Sequence, residues 1–193
     1  IVQSSASGSS AASYSSAICA TPSPSVSPTG TSAPTPLRYI YTSGFESSGG
    51  DSDVSGDGLW TTGTYGQTME VKSGSTASSG TGPDSAYGGS FYVYCETSSS
   101  NSPGVAFSLE TVEVTTGIEE ISFYYSAYGA TVGTMSLQES SDGSSWTDLW
   151  TKSGNQGSGW DSARVDLTST SKYARFYYVS GSSFTGDFAL DDI

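Results

Sequence analysis

The sequence has no histidine, only six lysines and arginines against nineteen aspartates and glutamates, and only two cysteines. Each shortage excludes something. Without histidine there is no Ser–His or Cys–His nucleophilic pair and no imidazole-bound zinc. A formal net charge of −13 leaves too few cations to displace the counterions of a phosphate backbone, so nucleic acid is not an expected partner. The same charge disfavours an anionic membrane surface. No stretch of about 18 apolar residues occurs, so no segment reads as a membrane-spanning helix. Asn101 and Asn155 both lack the hydroxyl residue two places on that N-glycosylation requires.

A glycosidase needs two carboxylates facing one cleft. Glu119 and Glu120 are adjacent in what reads as a strand, so they point to opposite faces and do not supply that pair. The expectation is no enzyme. The even cysteine count, Cys19 and Cys95, on a secreted-looking composition predicts a single disulfide. The other reading is two unrelated thiols, with Cys95 packing inside a strand.

What the sequence does have is glycine, serine and tyrosine in quantity, with short aromatic and β-branched runs between them. That pattern predicts an all-β fold. Residues 1–37 carry no charge and hold Pro22, Pro24, Pro28, Pro34 and Pro36, an extended Ser/Thr/Pro-rich linker or strand-donating tail of mucin-like composition. Thr21, Ser23, Ser25, Ser27, Thr29, Thr31 and Thr35 are its candidate O-glycan acceptors. Residues 38–193 form the domain. Tyr39 and Tyr41 alternate with Ile40 at its start. Phe91, Val93 and Cys95 share one face of a strand over 90–97, and Ile121, Phe123, Tyr125 and Ala127 form the inner face of another. A change of phase after Leu109 predicts a bulge near Glu110–Thr111, and Asp142-Gly143 marks a hairpin turn. Roughly ten such strands predict a two-sheet antiparallel sandwich.

The last stretch, Gly186–Ile193 (GDFALDDI), ends in the middle of a strand pattern. Alternation puts Phe188, Leu190 and Asp192 on one face and Ala189, Asp191 and Ile193 on the other. An apolar pattern without a closing turn reads as an unfinished sheet edge. Read head to tail, Ile193 followed by Ile1, Val2 and Gln3 gives one continuous strand, as in a polymer repeat.

Phe45-Glu46, Thr81-Gly82-Pro83, Phe91–Tyr94, Ser122–Gly129, Val132–Met135, Gly154–Gly157 through Trp160, and Gly186–Ile193 occur in an order that resembles the MAM domain over about residues 44–193. The resemblance implies a jelly-roll sandwich that works outside the cell in adhesion or subunit assembly, without catalysis. It also implies a structural cation held by Glu46, Asp191 and Asp192, with Asp84 as a further ligand. The usual domain cysteines are absent, and Ile118-Glu119-Glu120 stands where one often occurs.

Independently of the resemblance, Asp51, Asp53, Ser55 and Asp57 place oxygen ligands at alternate positions around Gly56, the front half of a calcium loop. Thr62 stands where the closing Glu would be. A solvated acidic loop is the other reading. Calcium is the expected cofactor. Tyr124, Tyr125, Tyr128, Tyr177 and Tyr178 could stack against sugars, though such residues more often pack strands.

Two functions fit these observations. The first is an extracellular filament subunit that assembles with copies of itself, as separate chains or tandem repeats, through Ile1, Val2, Gln3 and Ile193. The alternative is a carbohydrate-binding or cell-adhesion module of a larger secreted protein, with glycans as partners.

Overall fold

The computed structural model describes residues 40–48, 54, 58–63 and 65–193. The tail over 1–37, with Cys19, the O-glycan acceptors and Ile1–Gln3, lies outside them. So do Asp51, Asp53 and Asp57 of the acidic loop.

After a 3-10 turn at Glu46–Ser48 come eleven strands: β1 (Trp60–Thr62), β2 (Gln67–Thr68), β3 (Glu70–Ser73), β4 (Phe91–Cys95), β5 (Ala106–Thr111), β6 (Glu120–Gly129), β7 (Thr134–Ser140), β8 (Thr147–Ser153), β9 (Asp161–Asp166), β10 (Tyr173–Val179) and β11 (Gly186–Asp191). They form two sheets. Sheet A runs β1-β5-β10-β7-β8, with β2 added in parallel to β5; sheet B runs β3-β4-β11-β6-β9. The pairings along both paths are antiparallel, and the two sheets make a jelly-roll sandwich.

Alternation decides which residues the sheets enclose. Ile121, Phe123, Tyr125 and Ala127 of β6 are buried in the core opposite Leu137, Phe176 and Tyr178. Phe123 meets Phe176 edge-on at 4.8 Å and Trp150 at 5.1 Å between ring centroids. Tyr125 stacks on Phe188 at 5.9 Å. Each such pair contributes about 1 kcal/mol beyond the burial itself, so aromatic interdigitation takes the place that disulfides hold in many small secreted domains.

Three expectations are corrected. β11 is the central strand of sheet B, hydrogen-bonded to β4 on one side and β6 on the other, and not an edge. After the strand, Asp192 takes a left-handed backbone (φ 44°). That turn swings Ile193 onto the main core, and Ile193 exchanges both main-chain hydrogen bonds with Ser43, at 2.8 and 2.9 Å. Second, β5 keeps unbroken register with β1 and β10 through Glu110. The change of phase there marks the strand's end at Thr111, and the irregularity falls at Leu137/Gln138 against β8. Third, Ile40 and Tyr41 lie exposed outside any strand, and Phe45, left-handed at φ 58°, is the first side chain to enter the core. Asp142 does close the β7–β8 hairpin: its Oδ1 accepts the N–H groups of Ser144 and Ser145, each at 2.8 Å.

Candidate functional site

The outward faces of the two sheets differ in construction. On sheet B the segment 74–90 lies across the strands as a strap. Phe188 and Leu190 of β11 point into the main core, while Ala189 packs with Tyr92 and Tyr94 in a second, smaller core under Ala86 and Trp160. The Tyr92 hydroxyl donates to the Gly74 carbonyl at 2.9 Å, Trp160 Nε1 donates to the Ser85 carbonyl at 3.0 Å, and Gly82 N–H donates to the Tyr128 carbonyl at 3.1 Å. Tyr87 stacks on Tyr124 with centroids 3.4 Å apart.

Two buried carboxylates tie the strap to β11. Asp187 accepts the Thr81 hydroxyl at 2.8 Å and the Thr97 hydroxyl at 3.1 Å. Asp191 Oδ2 accepts Tyr87 N–H at 2.8 Å and Gly88 N–H at 3.1 Å, and its Oδ1 accepts Asp192 N–H at 2.8 Å. Burial raises both acids, Asp191 to about 6, because the low-dielectric surroundings oppose the charged form more than these donors favour it.

Here the carboxylates expected to hold a cation partly converge. Glu46 Oε1 accepts Ser90 and Phe91 N–H groups, each at 2.8 Å. The glycines make room: a Cβ on Gly89 would lie 2.3 Å from Glu46 Oε1, and one on Gly88 2.5 Å from Asp192 Oδ2. Main-chain donors take one oxygen of Glu46 and both of Asp191. Among the described residues no group of three or more His, Cys, Asp or Glu side chains is arranged to hold a metal ion. As they stand, these residues do not form a closed calcium site, which needs six to eight oxygens. Asp84 lines a different feature, a cavity of about 290 Å³ with Ser75–Gly82 and Tyr128. Cys95 is a free thiol, fully buried in β4 and pushed up by that burial.

Sheet A carries a polar row that crosses its strands, buried at Arg175 and exposed at Asp148. Thr61, Glu110, Arg175, Gln138 and Asp148 are successive cross-strand neighbours on β1, β5, β10, β7 and β8. Thr61 Oγ1 donates to the Glu110 carbonyl at 3.2 Å. Arg175 Nη1 lies 3.6 Å from Glu110 Oε1, and its Nε donates to Gln138 Oε1 at 2.5 Å. Gln138 Nε2 donates in turn to Asp148 Oδ1 at 2.6 Å.

The Arg175 guanidinium sits 4.2 Å from the Trp146 ring, 4.9 Å from Tyr177 and 5.4 Å from Tyr65. Burial lowers its pKa, with Glu110 opposing that shift; an arginine remains charged at neutral pH. Glu110 Oε1 and Trp146 Nε1 are buried without a hydrogen-bond partner. Next to this row runs a hydroxyl row, Ser108, Tyr177, Ser136 and Thr151.

Of this site the sequence pointed only to Tyr177. Tyr125 and Tyr178 belong to the core, Tyr124 lies against Tyr87 of the strap, and Tyr128 lines the cavity. Arg175 escaped notice, although a lone cation between inward Ala174 and Phe176 is an outward group on a central strand.

The family model that matches residues 45–193 is the MAM domain, meprin/A5/mu. This chain belongs to the MAM family. The MAM domain-containing glycosylphosphatidylinositol anchor protein 1 of Rattus norvegicus is 33% identical over 76 residues, which cover 38% of this chain and 8% of that protein. Protein 2 of the same name and species is 31% identical over 129 residues, covering 58% and 14%. The MAM chain therefore spans a small part of the length of either relative. Among solved structures, the K2 cleaved adhesin domain of Lys-gingipain superposes with a TM-score of 0.60 at 22% identity, covering 79% of this chain and 96% of that one; the likeness is one of fold.

Proposed function

We propose that this MAM domain is a non-catalytic, extracellular adhesion module that binds carbohydrate on the outward face of sheet A. The observation that carries the proposal is the Glu110–Arg175–Gln138–Asp148 row with Trp146, Tyr177 and Tyr65 around its cation. Sugars offer hydroxyls that both donate and accept, together with apolar ring faces. A planar network of charged and amide groups beside aromatic rings matches both features. Membership of a family with cell-surface relatives supports the location. The test is a glycan array probed with the intact chain and with Arg175→Met. A defined set of bound glycans, lost in the variant while its melting stays cooperative, is expected; silence from the well-folded intact chain sinks the proposal.

Filament assembly has no comparable support, since β11 is internal to its sheet and Ile193 pairs with Ser43 of its own chain. Calcium is a second proposal. It rests on Glu46 and Asp192 lying against the same Gly88-Gly89 pair beside a buried Asp191. Binding there would require these groups to give up some of their main-chain partners. A melting temperature unchanged between excess calcium and chelator removes it.

A further inference from the structure

Resting on that carbohydrate reading, we infer that the outward face of sheet A takes an internal segment of a neutral, linear glycan laid across the strands, rather than a terminal sugar or an acidic polysaccharide. The row spans all five strands of the sheet's main path, about 19 Å at a strand spacing of about 4.8 Å. That is the length of a run of sugar units. Its two ends, Thr61 on β1 and Asp148 on β8, lie on the outermost strands of that path, and Asp148 is exposed. A bound chain can therefore leave over either edge. The cavity of about 290 Å³ that could enclose a chain end belongs to the strap on the other sheet.

Charge sets the ligand class. Arg175 is committed to Glu110 and Gln138. Arg164 and Lys172 pair with Glu120 and Glu113, and Lys152 lies over the Tyr125 ring. The row itself holds two acids against one base. On a chain of net charge −13, an anionic glycan would be repelled. A protein partner is disfavoured as well. The row is polar from Thr61 to Asp148 and so lacks the apolar centre of a protein interface.

The test is calorimetric titration of the intact chain with neutral β-linked gluco-, manno-, galacto- and xylo-oligosaccharides, from monosaccharide to hexasaccharide. Polygalacturonate and dextran sulfate serve as anionic probes. Affinity for one neutral series is expected to rise by about tenfold or more between the disaccharide and the hexasaccharide, each added well-made hydrogen bond being worth roughly fivefold to tenfold. Asp148→Ala and Thr61→Ala, at opposite ends of the row, each lower hexasaccharide affinity by about fivefold while the melting temperature holds. A monosaccharide that competes as well as the hexasaccharide, or stronger binding of either polyanion, overturns this inference and leaves the carbohydrate proposal standing. Binding of neutral glycans that both variants leave untouched overturns the placement. Absence of any binding by a chain with a cooperative melt overturns the proposal and the inference together.

Discussion

The outward faces of the two sheets start from the same kind of strand and end differently. Sheet B carries Tyr92, Tyr94, Ala189 and two aspartates outward and covers them with a strap. Sheet A carries Arg175, Glu110, Gln138 and Asp148 outward and leaves them as a row. Both contain buried charge, satisfied in different ways. The aspartates of sheet B are met by main-chain and hydroxyl donors of their own chain, whereas on sheet A Glu110 Oε1 has the Arg175 guanidinium at 3.6 Å but no hydrogen bond, and the buried indole N–H of Trp146 has no hydrogen-bond partner. Neither face is fully satisfied, since Ser126 Oγ of β6 is also buried without a hydrogen-bond partner; the difference is that the strap covers the carboxylates of sheet B, while Asp148 at the end of the sheet A row is exposed.

The sharpest way to break this contrast is Tyr92→Ala. Its ring is fully buried beneath the strap, and the change is expected to cost about 4 kcal/mol in urea denaturation. The surviving folded fraction should keep its glycan affinity; loss of binding in step with stability would show that the faces are not separable. Next is Arg175→Met, which strands a largely buried Glu110 whose side chain is 15% exposed and is expected to cost about 3 kcal/mol. The double variant Glu110→Gln/Arg175→Met should recover most of that stability and none of the binding.

A third prediction concerns pH in calcium-free buffer. Asp191 titrates at about 6 when folded against an ordinary 3.8, so the folded state holds its proton more tightly than the unfolded chain. Asp187 is shifted the same way, and Asp192 is the charged neighbour that raises Asp191 further. Asp191 therefore adds stability as pH falls from about 7 toward about 4, on the order of 2 kcal/mol, and loses it as pH rises back through 6, with Asp187 acting in the same direction. Melting curves across that range should show the gain, and Asp191→Asn should flatten it. The smallest effect is Gly89→Ala. Gly89 has φ +60°, and its Cβ would meet the Glu46 carboxylate, so about 1 kcal/mol is expected. Faster proteolysis confined to the strap would show that the loss is local.

The sandwich was legible in the sequence because a period of two is written directly in runs such as Ile121–Ala127 and Tyr173–Val179. The family resemblance over 44–193 coincides closely with the matched residues 45–193. The requirement that Asp191 be paired was legible too, since an aspartate beside Ala189 cannot be buried alone. Its face was not: the second small core under the strap made an outward position as buried as an inward one. The turn at Asp192 that returns Ile193 to the core was hidden for a related reason, because a left-handed residue breaks the alternation that the reading relies on. The polar row was out of reach. Glu110, Gln138, Asp148 and Arg175 become neighbours only through strand register, and nothing local in their sequence surroundings states it.

The pairing of Ser43 with Ile193 gives the domain a mechanical character. The two residues are joined side by side through two main-chain hydrogen bonds, so a load applied between them opens this clasp one bond at a time, a low-force path. The load then reaches β11 along its length. There the strand is held on both flanks by β4 and β6, so its bonds must shear together. Tension at this corner therefore meets a soft fuse first and a stiff strand behind it, which would let the module yield a little to a pull between surfaces without unfolding.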